Sequence, residues 1–192
     1  VLVTMEVETC LRRLEAHVDR SALAITGSVA MGGRSPKDLD FIAAHREVVA
    51  SSVCRDFLVS HYHGGEKLIV QLVDPVTRIR VDIFPDRLGM LATARPRPDG
   101  WRVVEFAALL EYKLALLANA TRTAPIDPKH AADVRMLAAR LGRPEPAIDA
   151  AALRVAVYAT DVTASCARCA AAVDPVFPLA AKSAIFDILG YV

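Results

Sequence analysis

Three aspartates, Asp38, Asp40 and Asp82, have the type and spacing to do chemistry together. A β-strand repeats its side-chain direction every two residues. Asp38 and Asp40 therefore point the same way, while Leu39 turns to the opposite face. Phe41 follows at once, which implies that the strand soon becomes buried on both sides. Like charges in such a place repel one another and lose hydration. A divalent cation relieves both costs, and hard Mg²⁺ (or Mn²⁺) prefers carboxylate, water and phosphate oxygens. Asp82 lies in a later β-branched run and completes a three-acid set if that strand lies beside the first.

The turn Thr26-Gly27-Ser28 precedes the acid pair. Glycine permits close approach, and a helix beginning at Ser28 would present unpaired N–H groups, both suited to a triphosphate. Arg34 and Lys37 could add positive charge there. Two metals held by carboxylates can neutralise a triphosphate, align an attacking hydroxyl and stabilise leaving pyrophosphate. In that scheme Asp38 and Asp40 bind both ions, and Asp82 holds the ion that activates the acceptor. Each signal alone has a plainer meaning. Asp-x-Asp is frequent at strand starts, Gly27-Ser28 is also an ordinary turn and helix cap, and Asp82 could pair with Arg80 or Lys67 on a strand surface. The three in this order favour the metal site.

The elements that must position these groups are readable from periodicity. Met5–Arg20 has a helical stripe in Val7, Leu11, Leu14 and Val18. Ala22–Thr26 is a short strand, Ser28–Met31 a short helix stopped by Gly32-Gly33, and Leu39–Ala43 the next strand. Glu47–Ser60 returns to helical spacing, with Val49, Val53, Phe57 and Leu58 as its inner face. Lys67–Val73 and Arg78–Phe84 flank Asp74-Pro75-Val76-Thr77 as a hairpin. Arg95–Gly100 is a breaker cluster and the expected lobe boundary. Beyond it, Phe106–Ala118, Pro128–Leu141, Ile148–Tyr158 and Leu179–Leu189 read as helices. The expected class is α+β: an α/β lobe with a mixed sheet over 1–98, followed by a small C-terminal helical bundle over 99–192.

Composition sets limits. The chain has 192 residues, 54% of them hydrophobic, and a formal net charge of +1. That suits one domain, or one compact body with two lobes, and supplies no global basic field, so a nucleic-acid partner would need a local patch. Cys166 and Cys169 have the spacing of a metal or redox pair, but no second pair or nearby histidine completes a zinc set. The first residues lack a basic leader, and no stretch spans a bilayer without charge. A cytoplasmic protein with no membrane partner is expected.

The succession Thr26-Gly27-Ser28, Asp38-Leu39-Asp40 and Asp82 resembles the nucleotidyltransferase superfamily with a polymerase-beta-like palm. Lys113 in Glu111–Leu117, then Lys129–Leu137, resembles the AbiEii-like toxin branch, which carries a lysine helix followed by a Lys-Asp-x-x-Asp helix. The resemblance covers roughly residues 22 to 137. It implies transfer of a nucleoside monophosphate from a nucleoside triphosphate to a hydroxyl, with Mg²⁺ or Mn²⁺ on Asp38, Asp40 and Asp82. Lys113 is then catalytic, and Gly27, Ser28, Arg34, Lys37, Lys129 and Asp133 contact the nucleotide. The branch also implies the acceptor end of tRNA as substrate and a cognate antitoxin as partner. The chain departs from it with Gly-Ser rather than Gly-Gly-Thr in the turn, and with His130 where Asp is usual. Those departures leave open a small-molecule acceptor, as in antibiotic nucleotidyltransferases, or a non-catalytic partner protein.

Read without the resemblance, Lys113 sits near a buried stripe and either faces an anion or snorkels. Lys129 and Asp133 share a face at i,i+4, and Asp133 either orients Lys113 or forms a helix-surface pair. His61 and His63 read as a connecting surface loop, and Trp101 and Tyr112 as base-stacking or packing residues. Arg95 and Arg97 read as solvated.

Overall fold

A computed structural model describes residues 4–32, 36, 38–62, 68–86, 89–110, 112–113 and 128–144. The chain divides into two units, Val1–Glu105 and Phe106–Val192.

The first unit is built on one mixed sheet of seven strands, in the order β3-β4-β5-β2-β1-β7-β6. The strands are β1 (Leu23–Ile25), β2 (Asp38–Ala43), β3 (Leu58–Tyr62), β4 (Val70–Val73), β5 (Arg80–Pro85), β6 (Arg95–Pro96) and β7 (Arg102–Val103). β2 lies antiparallel to β1 and parallel to β5, so the strand carrying Asp38 and Asp40 is central and flanked by the strand carrying Asp82. Leu39, Phe41, Val81 and Ile83 are fully buried on the opposite face. Phe41 packs against buried Trp101 with ring centroids 5.3 Å apart, and the Arg20 guanidinium covers the same indole at 5.7 Å. Trp101 is thus a core residue of this unit.

Helix α1 (Met5–Leu14) buries Val7, Cys10, Leu11 and Leu14. Thr4 caps it through Val7 N, and Glu6 with Glu8 at the start and Arg12 with Arg13 at the end complement the helix dipole. It stops before the expected Arg20. His17 is buried between Ser52 (3.0 Å) and Asp56 (2.7 Å), and Val18 is extended, bridging to Val49. Asp19 then starts a new turn by accepting from Ser21 N and Oγ, which holds its carboxyl below the usual range.

The helix expected over Glu47–Ser60 is replaced by 3₁₀ turns at Arg46–Val48 and Ser51–Arg55 and then by β3. Val49 is used in the bridge to Val18, and Ala50 N donates to His17 O, so tertiary pairing overrides the helical spacing. Val53 and Phe57 are buried as expected, but Leu58 is 62% exposed at the sheet edge. His61 and Tyr62 therefore end a strand rather than lying in a loop, while His63 lies outside the described residues.

The β4–β5 hairpin forms around Asp74. Its buried carboxylate accepts from Val76 N (3.1 Å) and Thr77 Oγ1 (2.7 Å), and Arg13 Nε contacts it at 3.0 Å. The burial of Cys10, with Asp74 nearby, pushes its thiol up to about 12. The expected breaker segment 95–100 instead holds β6 and the turn into β7, and β7 pairs parallel to β1. The sheet therefore continues beyond residue 98, to Val103.

In the second unit residues 106–110 and 112–113 are helical, and α3 runs over Pro128–Arg140. Leu109, Leu110, Val134 and Leu137 are fully buried. The Arg140 guanidinium lies 5.2 Å from the Phe106 ring, and Lys113 reaches Asp133, so the two helical stretches run antiparallel. The helices expected over 148–158 and 179–189, together with Cys166 and Cys169, lie outside the described residues. Among the described residues no helix is long and apolar enough to cross a membrane.

Candidate metal and phosphate site

Parallel pairing of β2 with β5 sets Asp40 directly beside Asp82, and Asp38 directly beside Arg80. Antiparallel pairing of β4 with β5 sets Gln71 on the other side of Asp82. Residues directly paired in a sheet share a face, so Gln71, Asp82, Arg80, Asp38 and Asp40 form one polar patch. Asp38 and Asp40 are half-buried, and Asp82 is buried at 5% exposure.

Gln71 Nε2 donates to Asp82 Oδ1 at 2.8 Å, fixing that carboxylate. Arg80 reaches both neighbours: its Nη2 donates to Asp38 Oδ2 at 2.9 Å, and its Nε lies 3.0 Å from Asp82 Oδ2. Arg80 itself is about half exposed, with a side chain 47% accessible.

The turn before the patch is tied to it. Thr26 N donates to Asp40 O at 2.8 Å. Gly27 follows at φ +62°, and a Cβ there would lie 2.0 Å from Asp40 Oδ2. Only glycine gives both the left-handed backbone and the room. Gly27–Met31 forms the short helix α2, closed by Gly32 in the left-handed region. Thr26 Oγ1 and Ser28 Oγ are buried and have no hydrogen-bond partner among the described residues. A buried hydroxyl without a partner costs roughly 1–3 kcal/mol, which a ligand at the turn would recover.

The donor set fits a hard divalent cation in one particular way. Among the described residues no three His, Cys, Asp or Glu side chains are gathered into a metal-holding group. Mg²⁺ does not need one, since it commonly uses one or two carboxylates and completes its shell with water and substrate phosphates. Asp40 beside Asp82, next to hydroxyls without partners, matches that requirement.

Arg34 and Lys37 lie outside the described residues. Lys113 and Asp133 belong to the second unit, where Lys113 Nζ lies 3.0 Å from Asp133 Oδ2 and both side chains are buried. On α3, Lys129 is exposed and Asp133, one turn later, is buried. Arg95 pairs with Glu105 and Arg97 with Asp99.

Sequence reading missed Gln71 and treated Arg80 only as a possible neighbour of Asp82. A hairpin counted outward from the four-residue turn 74–77 would pair Val73 with Arg78, whereas the observed connection extends to Ile79 and pairs Val73 with Arg80 and Gln71 with Asp82.

No family model matches the chain, and no curated protein is similar to it in sequence. Among solved structures it is similar to the antibiotic-resistance factor ANT(2'')-Ia, at 15% identity and a TM-score of 0.48, covering 78% of this chain and 89% of that one. It is also similar to JHP933 from Helicobacter pylori, at 11% identity and a TM-score of 0.48, covering 98% of this chain and 90% of that one.

Proposed function

We propose that the protein is a divalent-cation-dependent nucleotidyltransferase, moving a nucleoside monophosphate from a nucleoside triphosphate to a hydroxyl acceptor. The observation that carries this reading is the register placing Asp40 beside Asp82, with Gly27 yielding its Cβ space to Asp40. Decorative surface acids do not require a glycine against their oxygens.

When bound, the cations would neutralise the triphosphate and lower the barrier to attack by the acceptor oxygen. Asp38, Asp40 and Asp82 would hold them. Gln71 keeps the Asp82 carboxylate turned toward the site, and Asp82 helps to take the acceptor's proton. The Thr26 and Ser28 hydroxyls donate to phosphate oxygens beside Gly27. The acceptor oxygen bonds to the α-phosphorus, the bond to the bridging oxygen breaks, and pyrophosphate leaves. The motif resemblance supports Lys113, Lys129, Arg34 and Lys37 as nucleotide contacts. Within the second unit, Asp133 holds the Lys113 amino group in place.

For the acceptor, the motif resemblance over Lys113 and Lys129–Leu137 supports an AbiEii-like toxin acting on tRNA and paired with an antitoxin. The Gly27-Ser28 turn and His130 depart from that branch and leave a small-molecule acceptor open. The test is incubation with Mg²⁺, each labelled nucleoside triphosphate and total RNA. Label in tRNA establishes the first acceptor, and label confined to metabolites establishes the second. A wild type that releases no pyrophosphate with any acceptor contradicts the enzyme reading. One observation favours a non-catalytic partner protein: Arg80 already neutralises part of the acid patch from within.

A further inference from the structure

We propose that Arg80 is an internal stand-in for the divalent cation, which occupies the acid patch when metal is absent and must leave before metal can bind. This role rests on the metal-site reading above and concerns a residue to which that reading assigned no task.

The geometry sets the competition. Arg80 contacts Oδ2 of Asp38 and Oδ2 of Asp82, the carboxylates of two different strands. It reaches both because it is the ladder partner of Asp38 and lies two residues before Asp82 on the same face. A cation bound directly to these oxygens lies roughly 2 Å from them. A guanidinium at 2.9 and 3.0 Å from the same oxygens would be pressed against it as a like charge. The two occupancies therefore oppose one another.

The arrangement also has a moving and a fixed partner. Asp82 is buried and pinned through its other oxygen by Gln71. Arg80 is a long side chain with 47% of its surface accessible, so it can withdraw its charged end into water at small cost. Metal arrival thus displaces the arginine rather than the acid. Seated between the two acids, Arg80 relieves the repulsion between them. The consequence is a raised threshold: bare metal competes with a resident charge, and only concentrations above that threshold fill the site.

The experiment is thermal unfolding of the full chain, titrated with Mn²⁺ without nucleotide, for wild type, Arg80→Met and Arg80→Lys. Arg80→Met should melt below wild type without metal and reach half of its Mn²⁺-induced rise at a concentration on the order of tenfold lower. Arg80→Lys keeps the charge but lacks the fork that reaches both acids, so its midpoint should fall between the two. If Arg80→Met does not fold, the lysine variant decides alone, and a midpoint equal to that of wild type overturns the proposal. Equal Mn²⁺ midpoints in wild type and Arg80→Met overturn the Arg80 role while leaving the metal site standing. A higher midpoint in Arg80→Met also overturns it, since Arg80 would then be positioning the acids for metal. No Mn²⁺ response in any variant overturns both readings together.

Discussion

Gly27 and Asp40 interlock: a Cβ at position 27 would sit 2.0 Å from Asp40 Oδ2, and the Gly27 backbone is left-handed at φ +62°. Gly27→Ala therefore meets two costs. The left-handed conformation costs about 1–2 kcal/mol for a residue with a side chain. The clash must also move the Asp40 carboxylate. Urea denaturation should show at least the conformational loss, and pyrophosphate release should fall far more than the loss of folded protein explains. A fully active Gly27→Ala would show that the position of Asp40 is immaterial.

Gln71 should matter to chemistry more than to stability. Its one side-chain bond to the acid patch runs to Asp82. Partners that orient metal-binding groups typically contribute 10–100-fold in affinity or activity, so Gln71→Leu should lower activity by about that factor. Asp82→Asn retains the shape and removes the charge, and should lower activity by at least about hundredfold. Steady-state pyrophosphate release at saturating Mg²⁺ checks both, with circular dichroism confirming the fold.

The Lys113–Asp133 pair is buried on both sides, with side chains 7% and 5% accessible. Removing one partner from such a pair typically costs about 3–5 kcal/mol, whereas replacing both with apolar groups is often neutral. Lys113→Met and Asp133→Leu should each be strongly destabilising, and the double variant should recover most of the loss. Urea midpoints measure this cycle. Additive losses would mean that the two side chains act independently.

Alkaline stability should depend on Cys10. Burial, with the Asp74 charge adding to it, raises the thiol from its ordinary 9.0 to about 12. Between those values the unfolded chain has lost a proton that the folded chain retains. Stability must therefore fall as pH rises from about 9 toward about 12. Cys10→Ala removes this contribution, so its urea midpoint should decline less steeply from pH 8 to pH 10 than that of wild type. Parallel declines would show that Cys10 does not titrate on unfolding.

A short apolar run ending at Gly27 sufficed to read β1, and period-two spacing bounded by turn residues sufficed for β2 and the β4–β5 hairpin. The shared face of Asp38 and Asp40 followed from the same spacing. The β2–β5 parallel register was not legible, since no local signal records which residues of distant strands lie side by side. The segment Glu47–Ser60 misled for a physical reason. Its valines satisfy a helical stripe and a strand equally well, and long-range bonds from Ala50 to His17 and from Val49 to Val18 decided between them. The Arg80 bridge was hidden because it depends on the register and on the alternation at once.

The central claim is that Asp40 and Asp82, adjacent across β2 and β5, hold a divalent cation together with a nucleoside triphosphate. Water-proton relaxation with Mn²⁺ and a non-hydrolysable nucleoside triphosphate measures that binding directly. Wild type should give a saturable enhancement that the double variant Asp40→Asn/Asp82→Asn abolishes. An enhancement of the same size in the double variant, or none in wild type, would contradict it.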